Sequence, residues 1–219
     1  MKTTDRLFAA TKDLWDSYYE HPFIQGICDG SLDEAKFRHY VVQDYLYLVD
    51  YARVFAIGAA KAPTLEYERT FLSFAKGILD GELKLHDGYT GILGITREEL
   101  DSTPMSIDNA GYVAYMLRVA YEEGIAGVLA AILSCAVSYE KIGKRIAAEH
   151  PESLEHPLYG EWVKEYASEA YAHDNYFMID MLNELTEDWS EEQLAHIEQI
   201  FVDCSRYEYK FWDLGWNMD

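Results

Sequence analysis

The stretch GIAGVLAAILSCAVSYEKIGKRIAAE, residues 124–149, decides the fold. Val128, Ile132, Cys135, Tyr139, Ile142 and Ile146 recur at steps of three and four, the spacing of one face of an α-helix. Its first part, Gly124 to Tyr139, is so apolar that the helix reads as buried on nearly all sides. That apolar part falls short of the roughly 20 residues that cross a bilayer, so a core helix is expected rather than a membrane span. A helix buried all round needs a shell of other helices, and the rest of the chain must supply it.

The flanking sequence reads as such a shell. No segment alternates apolar and polar residues cleanly over strand length. The five prolines, at 22, 63, 104, 151 and 157, fall where helices begin or end. Ser31 to Glu34 and Ser190 to Gln193 have the form of capping boxes, and Thr96 to Glu99 a third. Pro157, after His156, suits a first helical turn. The pattern predicts helices at about 3–19, 32–61, 64–92, 97–101, 106–121, 124–149, 156–172, 173–185 and 191–215. With no linker-like tract or repeat, residues 1–219 are expected to form one all-α domain, a helical bundle with antiparallel neighbours.

Charge excludes some partners. Against 18 Lys and Arg stand 39 Asp and Glu, a formal net charge of -21. Nucleic acid and anionic membrane surfaces are bound through clustered cations, so neither is an expected partner. Cys28, Cys135 and Cys204 form no C-x-x-C pair and no zinc spacing, which fits reduced thiols in the cytoplasm. The N-terminus leads into no apolar signal segment. No glutamate has a histidine three residues later, as a di-iron bundle requires. Glu82/His86, Glu169/His173 and Glu192/His196 are four apart, a spacing of surface pairs. No metal or cofactor is expected, although a helical histidine such as His21 or His39 would suffice for a haem. Phosphate-binding glycine loops and a serine nucleophile elbow are absent from the sequence.

Polar groups on apolar stripes carry the chemistry. Asp44 lies on the stripe of Phe37, Tyr40, Val41, Tyr47, Leu48, Tyr51 and Phe55. Glu208 lies on that of Ile197, Phe201, Cys204, Phe211 and Gly215. A carboxylate facing a core is costly unless hydrogen-bonded. Each has a bland alternative: Asp44 as a structural acid held by tyrosines, Glu208 as a side chain reaching the surface beside Trp212, Cys135 as inert packing. There are 18 tyrosines. Tyr112, Tyr115, Tyr159, Tyr166 and Tyr171 are spaced so that several can face inward, where tyrosines wall a flat ligand and donate hydrogen bonds. One thiol and two carboxylates on three helices form the kind of site that bundles build from facing side chains.

Four motifs, YVVQDYLYL (40–48), SCAVSY (134–139), WVKEYAS (162–168) and YEYKFWD (207–213), resemble the TenA/thiaminase II family, in order and over nearly the whole chain. Cys135 matches its cysteine-bearing branch. The resemblance implies a haem-oxygenase-like fold without haem, a homotetramer, and a cofactor-free hydrolase of thiamin salvage. The implied substrate is 4-amino-5-aminomethyl-2-methylpyrimidine, converted to hydroxymethylpyrimidine and ammonia, with thiamin cleaved by the same chemistry. Cys135 resembles the nucleophile, Glu208 the proton donor and acceptor, and Tyr47 the hydroxyl that supports the thiolate. Asp44 resembles the carboxylate gripping the aminopyrimidine edge, and Tyr139, Tyr166, Tyr112 and Phe211 resemble further substrate contacts. The other reading is a non-catalytic pyrimidine-binding or regulatory protein using the same pocket.

Overall fold

The structure is a computed structural model that describes residues 1–82, 88–89 and 91–219. Among the described residues ten α-helices have defined bounds: α1 Thr3–Glu20, α2 Pro22–Asp29, α3 Glu34–Lys61, α4 Leu65–Gly77, α5 Arg97–Ser102, α6 Ile107–Glu122, α7 Ile125–Glu149, α8 Gly160–Ala167, α9 Glu169–Leu185 and α10 Glu191–Asn217. No strand occurs among the described residues, so the chain is all-α, as its periodicity predicts.

The 124–149 stretch is the central helix, α7. It is packed by α3, α6, α8, α9 and α10. Val128, Leu129, Ala130, Ala131, Ile132 and Leu133 are fully buried, so every face of its first half has a neighbour. Its bounds match the predicted 124–149 to within one residue, but the expectation that it is too short for a bilayer span does not hold. The helix has 25 residues and, by length and composition, is long and apolar enough to cross a membrane. Its most apolar window is 94% buried inside the protein, which accounts for that hydropathy without lipid. Gly143 brings α8 close: a Cβ there would stand 2.7 Å from the carbonyl carbon of Tyr166.

Several boundaries differ from the prediction. Helix α2 is absent from it. Pro22 occupies the first turn, His21 Nδ1 accepts from the Phe23 amide at 3.2 Å, and Gly30 ends the helix at φ 74°. Eight residues are too few to display a period. The box at Ser31 does not form: Asp33 caps α3 by accepting from the Ala35 amide at 2.7 Å, and the Ser31 amide donates to Asp29. At Thr96 the serine-like half forms, with Oγ1 accepting from the Glu99 amide, but the Glu99 carboxylate pairs with Arg38 instead of reaching back. The box at Ser190 forms in both halves.

The helix predicted from 156 starts at Gly160, because His156 Nδ1 accepts from the amides of Leu158 and Tyr159 and holds a turn. The break predicted at 172 falls at Ser168, which caps α9 by accepting from the Tyr171 amide at 3.1 Å. Helix α4 ends at Gly77 and passes into a wider π-type turn, Ile78–Glu82. The remainder of the predicted 64–92 helix, with His86, lies partly outside the described residues.

Candidate active site

Four helices bring the polar groups together. Helix α3 carries Asp44 and Tyr47, α6 carries Tyr112, α7 carries Cys135 and Tyr139, and α10 carries Glu208 and Phe211. Tyr166 comes from α8. Spacings of three and four place each pair on one face of its helix, toward α7 and its neighbours. Asp44, Cys135 and Glu208 are 6%, 8% and 2% exposed, so the two acids and the thiol are core groups rather than surface ones.

Glu208 is the hub. The Tyr112 hydroxyl donates to its Oε1 at 2.6 Å, and the Cys135 thiol is hydrogen-bonded to the same carboxyl. Burial raises the Glu208 pKa from the ordinary 4.5 to about 7, opposed by the Tyr112 and Cys135 hydrogen bonds and reinforced by the nearby charge of Asp44. A carboxyl tuned there exchanges protons near neutral pH. The snorkelling alternative for Glu208 therefore does not hold: the residue is buried and its carboxyl accepts from Tyr112 in the core.

A cage of aromatic rings surrounds the three groups. Tyr112 is stacked between Tyr47 and Tyr207, with centroids 5.3 Å from each. Phe211 lies against Tyr47 and, edge-on, against Tyr40, at 5.7 Å in both cases. Tyr139 packs on Tyr166 at 4.8 Å and on Trp212 at 4.9 Å. Its hydroxyl accepts from that of Tyr40 at 3.2 Å, and the Tyr40 oxygen in turn accepts from Trp162 Nε1. Burial, the leading cause, pushes the phenols of Tyr40, Tyr47, Tyr112 and Tyr139 well above their ordinary range, so they remain protonated donors. The Tyr47 hydroxyl donates to Met116 Sδ at 3.6 Å, and Cys135 is the ionisable neighbour that most raises the pKa of its phenol, after burial.

A cavity of about 260 Å³ opens beside the cage. It is bounded by Tyr51, Ala136 and Tyr171. Tyr51 stacks on Tyr47 at 5.2 Å and Tyr171 stands edge-on to Tyr166 at 5.1 Å, so one layer of rings separates the cavity from the site, and none of the site residues lines it.

All eight residues singled out from the sequence are buried; the ring and hydrogen-bond contacts above connect seven of them, and Asp44 acts on Glu208 as a nearby charge. The sequence reading gave no role to Trp212 and Trp162, which wall the cage, although Trp212 stands one turn beyond Glu208 and i,i+4 spacing points to it. Nor did it find the pair behind Asp44, where Asn109 Nδ2 donates to both the backbone oxygen and Oε1 of Gln43 and ties α6 to α3. Tyr115 and Tyr159 lie elsewhere: Tyr115 donates to Asp203, and Tyr159 to the Leu32 carbonyl. Cys204 is a buried free thiol hydrogen-bonded to Ser134. His196 pairs with Glu123 at 2.9 Å, not with Glu192 four residues before it, because its ring turns across to the α6–α7 junction. Both ring nitrogens of His21 are taken, by the Phe23 amide and Asp213. No cluster of three metal-ligating side chains occurs among the described residues.

The model of the TENA/THI-4/PQQC family matches residues 8–218. An aminopyrimidine aminohydrolase of Halalkalibacterium halodurans is 40% identical over 211 residues, covering 96% of this chain and 94% of that protein. One from Helicobacter pylori is 37% identical and covers 99% of both. The solved TenA homologue of P. horikoshii superposes with a TM-score of 0.88 at 28% identity, covering 99% of both chains. A Shewanella denitrificans domain described as having a heme oxygenase-like fold gives a TM-score of 0.70 at 15% identity, over 98% of this chain and 92% of that one, a likeness of fold alone. By the family match and these full-length relatives, the chain belongs to the TENA/THI-4/PQQC family and has a haem-oxygenase-like helical fold.

Proposed function

We propose that this protein is an aminopyrimidine aminohydrolase, a hydrolase of thiamin salvage that works by covalent cysteine catalysis. The observation that carries the reading is the buried Tyr112–Glu208–Cys135 hydrogen-bonded line inside a tyrosine cage. The names of the relatives supply the substrate class.

The chemistry follows from one proton. Glu208 as carboxylate accepts the Cys135 thiol proton, which leaves a thiolate beside a carboxylic acid. The acid then donates to a pyrimidine ring nitrogen while the thiolate adds to ring carbon C6. The amine enters as an ammonium, so electron density pushed through the ring breaks its bond to the C5 methylene and it departs as ammonia. Water adds to the exposed methylene carbon, and Glu208 takes its surplus proton and releases it to solvent. The thiolate then leaves and takes back the proton on the ring nitrogen, restoring the Cys135 thiol and the neutral ring of hydroxymethylpyrimidine. Hydroxyls such as those of Tyr112 and Tyr47 stabilise the anions as they form. Asp44 accepts from the exocyclic amine, a requirement that rejects pyrimidines lacking it. Thiamin, with a thiazole leaving group, is proposed as a second substrate, and a cytoplasmic homotetramer as the working form.

The test is incubation of the purified protein with 4-amino-5-aminomethyl-2-methylpyrimidine, with product separated by chromatography. Hydroxymethylpyrimidine and ammonia in equal amounts are expected. Binding of the pyrimidine with no turnover would replace this reading with the non-catalytic one.

A further inference from the structure

We propose that a cleft between α1 and α7, outside the active site, binds a small aromatic anion of the aryl phosphate class. The cleft has a volume of about 240 Å³ and is lined by Phe8, Lys12, Trp15, Asp16, Tyr18, Tyr19, Ser138, Lys141, Ile142 and Arg145. Three cations and one acid give its lining a charge of +2 in a chain of net charge -21. None of the residues assigned to pyrimidine chemistry lines it. A cavity of about 150 Å³ accommodates benzene, so this volume admits one ring with an anionic head.

The side chains are arranged for such a ligand. Lys141 Nζ stands 4.8 Å from the Phe8 ring centre and 4.5 Å from that of Trp15. It makes no ion pair among the described residues, and desolvation against the rings lowers its pKa, opposed by the more distant charges of Glu140 and Asp16. Lys141 lines a cleft that holds one acid, and that acid, Asp16, is already paired with Lys12 at 2.5 Å. Arg145 lies over Tyr19 at 3.6 Å. Its Nε donates to Glu149 at 3.0 Å, and its two terminal nitrogens have no partner among the described residues. A phosphate at the mouth meets both cations, with Arg145 offering a two-pronged grip, while the ring packs on the aromatic wall. The buried floor is Tyr18 and Ser138. The Ser138 hydroxyl donates to the Cys135 carbonyl at 3.0 Å, so the cleft lies behind the catalytic helix and one turn along it.

Calorimetric titration with phenyl phosphate tests this, with phenol and inorganic phosphate as separate arms and, as a second readout, tryptophan quenching that Trp15→Phe abolishes. Saturable binding of phenyl phosphate at about 1 mM or tighter is expected, and at least about tenfold weaker binding of either fragment. Lys141→Met and Arg145→Gln should each weaken it at least about tenfold while leaving circular dichroism and pyrimidine turnover unchanged. Absence of saturation below about 10 mM would overturn the proposal. So would equal affinity in the Lys141→Met variant, which would place the ligand elsewhere.

Discussion

Glu208 holds the sharpest consequences at the scale of single residues. Its folded pKa of about 7 lies above the ordinary 4.5, so the fold favours the protonated form. The cost of burying the charge is absent below pH 4.5 and grows as pH rises to 7, reaching up to about 3 kcal/mol. Glu208→Gln removes that cost. The variant should gain stability over wild type at pH 8 and lose the advantage at pH 5, read by urea unfolding at both values, while turnover falls at least about a hundredfold. An unchanged stability difference between the two pH values would contradict the buried charge. In turnover the carboxylate form must take the thiol proton, so kcat/KM should fall as pH drops through about 7. The Tyr112 hydrogen bond holds that pKa down, so Tyr112→Phe should move the acid limb upward and cost several-fold in kcat/KM at neutral pH. A limb that stays in place would remove Tyr112 from proton control. The three polar groups were legible in the sequence because a period of 3.6 places Asp44, Cys135 and Glu208 among apolar residues. Their mutual contacts were not, since periodicity says nothing about which stripes face one another.

At the scale of elements, α7 organises the site. It carries Cys135 and Tyr139 and receives Tyr166 from α8 across Gly143. A methyl at Gly143 meets the Tyr166 backbone and its Cβ, both 2.7 Å away, and backbone cannot yield as a flexible side chain does. Gly143→Ala should therefore destabilise the fold by roughly 1–3 kcal/mol and lower turnover by displacing Tyr166, checked by thermal unfolding and kinetics on one preparation. A variant with wild-type stability would show that the two helices separate freely. The long helices were readable because three or more turns display a period. The eight-residue α2 and the turn before Gly160 were not, because histidine ring nitrogens cap or hold them, and histidine is not among the usual capping residues.

For the molecule as a whole, acidity and a central apolar helix are two sides of one design. Apart from the buried Asp44, Glu140 and Glu208, the charged side chains described lie toward the outside of a bundle whose innermost helix is buried to a degree that mimics a membrane segment. The cavity beside the cage was not readable from sequence, since its walls come from helices far apart in the chain. The proposed homotetramer is checked by light scattering, which should give four times the chain mass of 25.2 kDa; a monomer at micromolar concentration would reject it. The claim on which the rest turns is that Cys135 attacks the pyrimidine. Its most direct test is the turnover number of Cys135→Ala on 4-amino-5-aminomethyl-2-methylpyrimidine, with circular dichroism confirming the fold. A loss of at least about a thousandfold is predicted, and a rate within tenfold of wild type would contradict covalent cysteine catalysis.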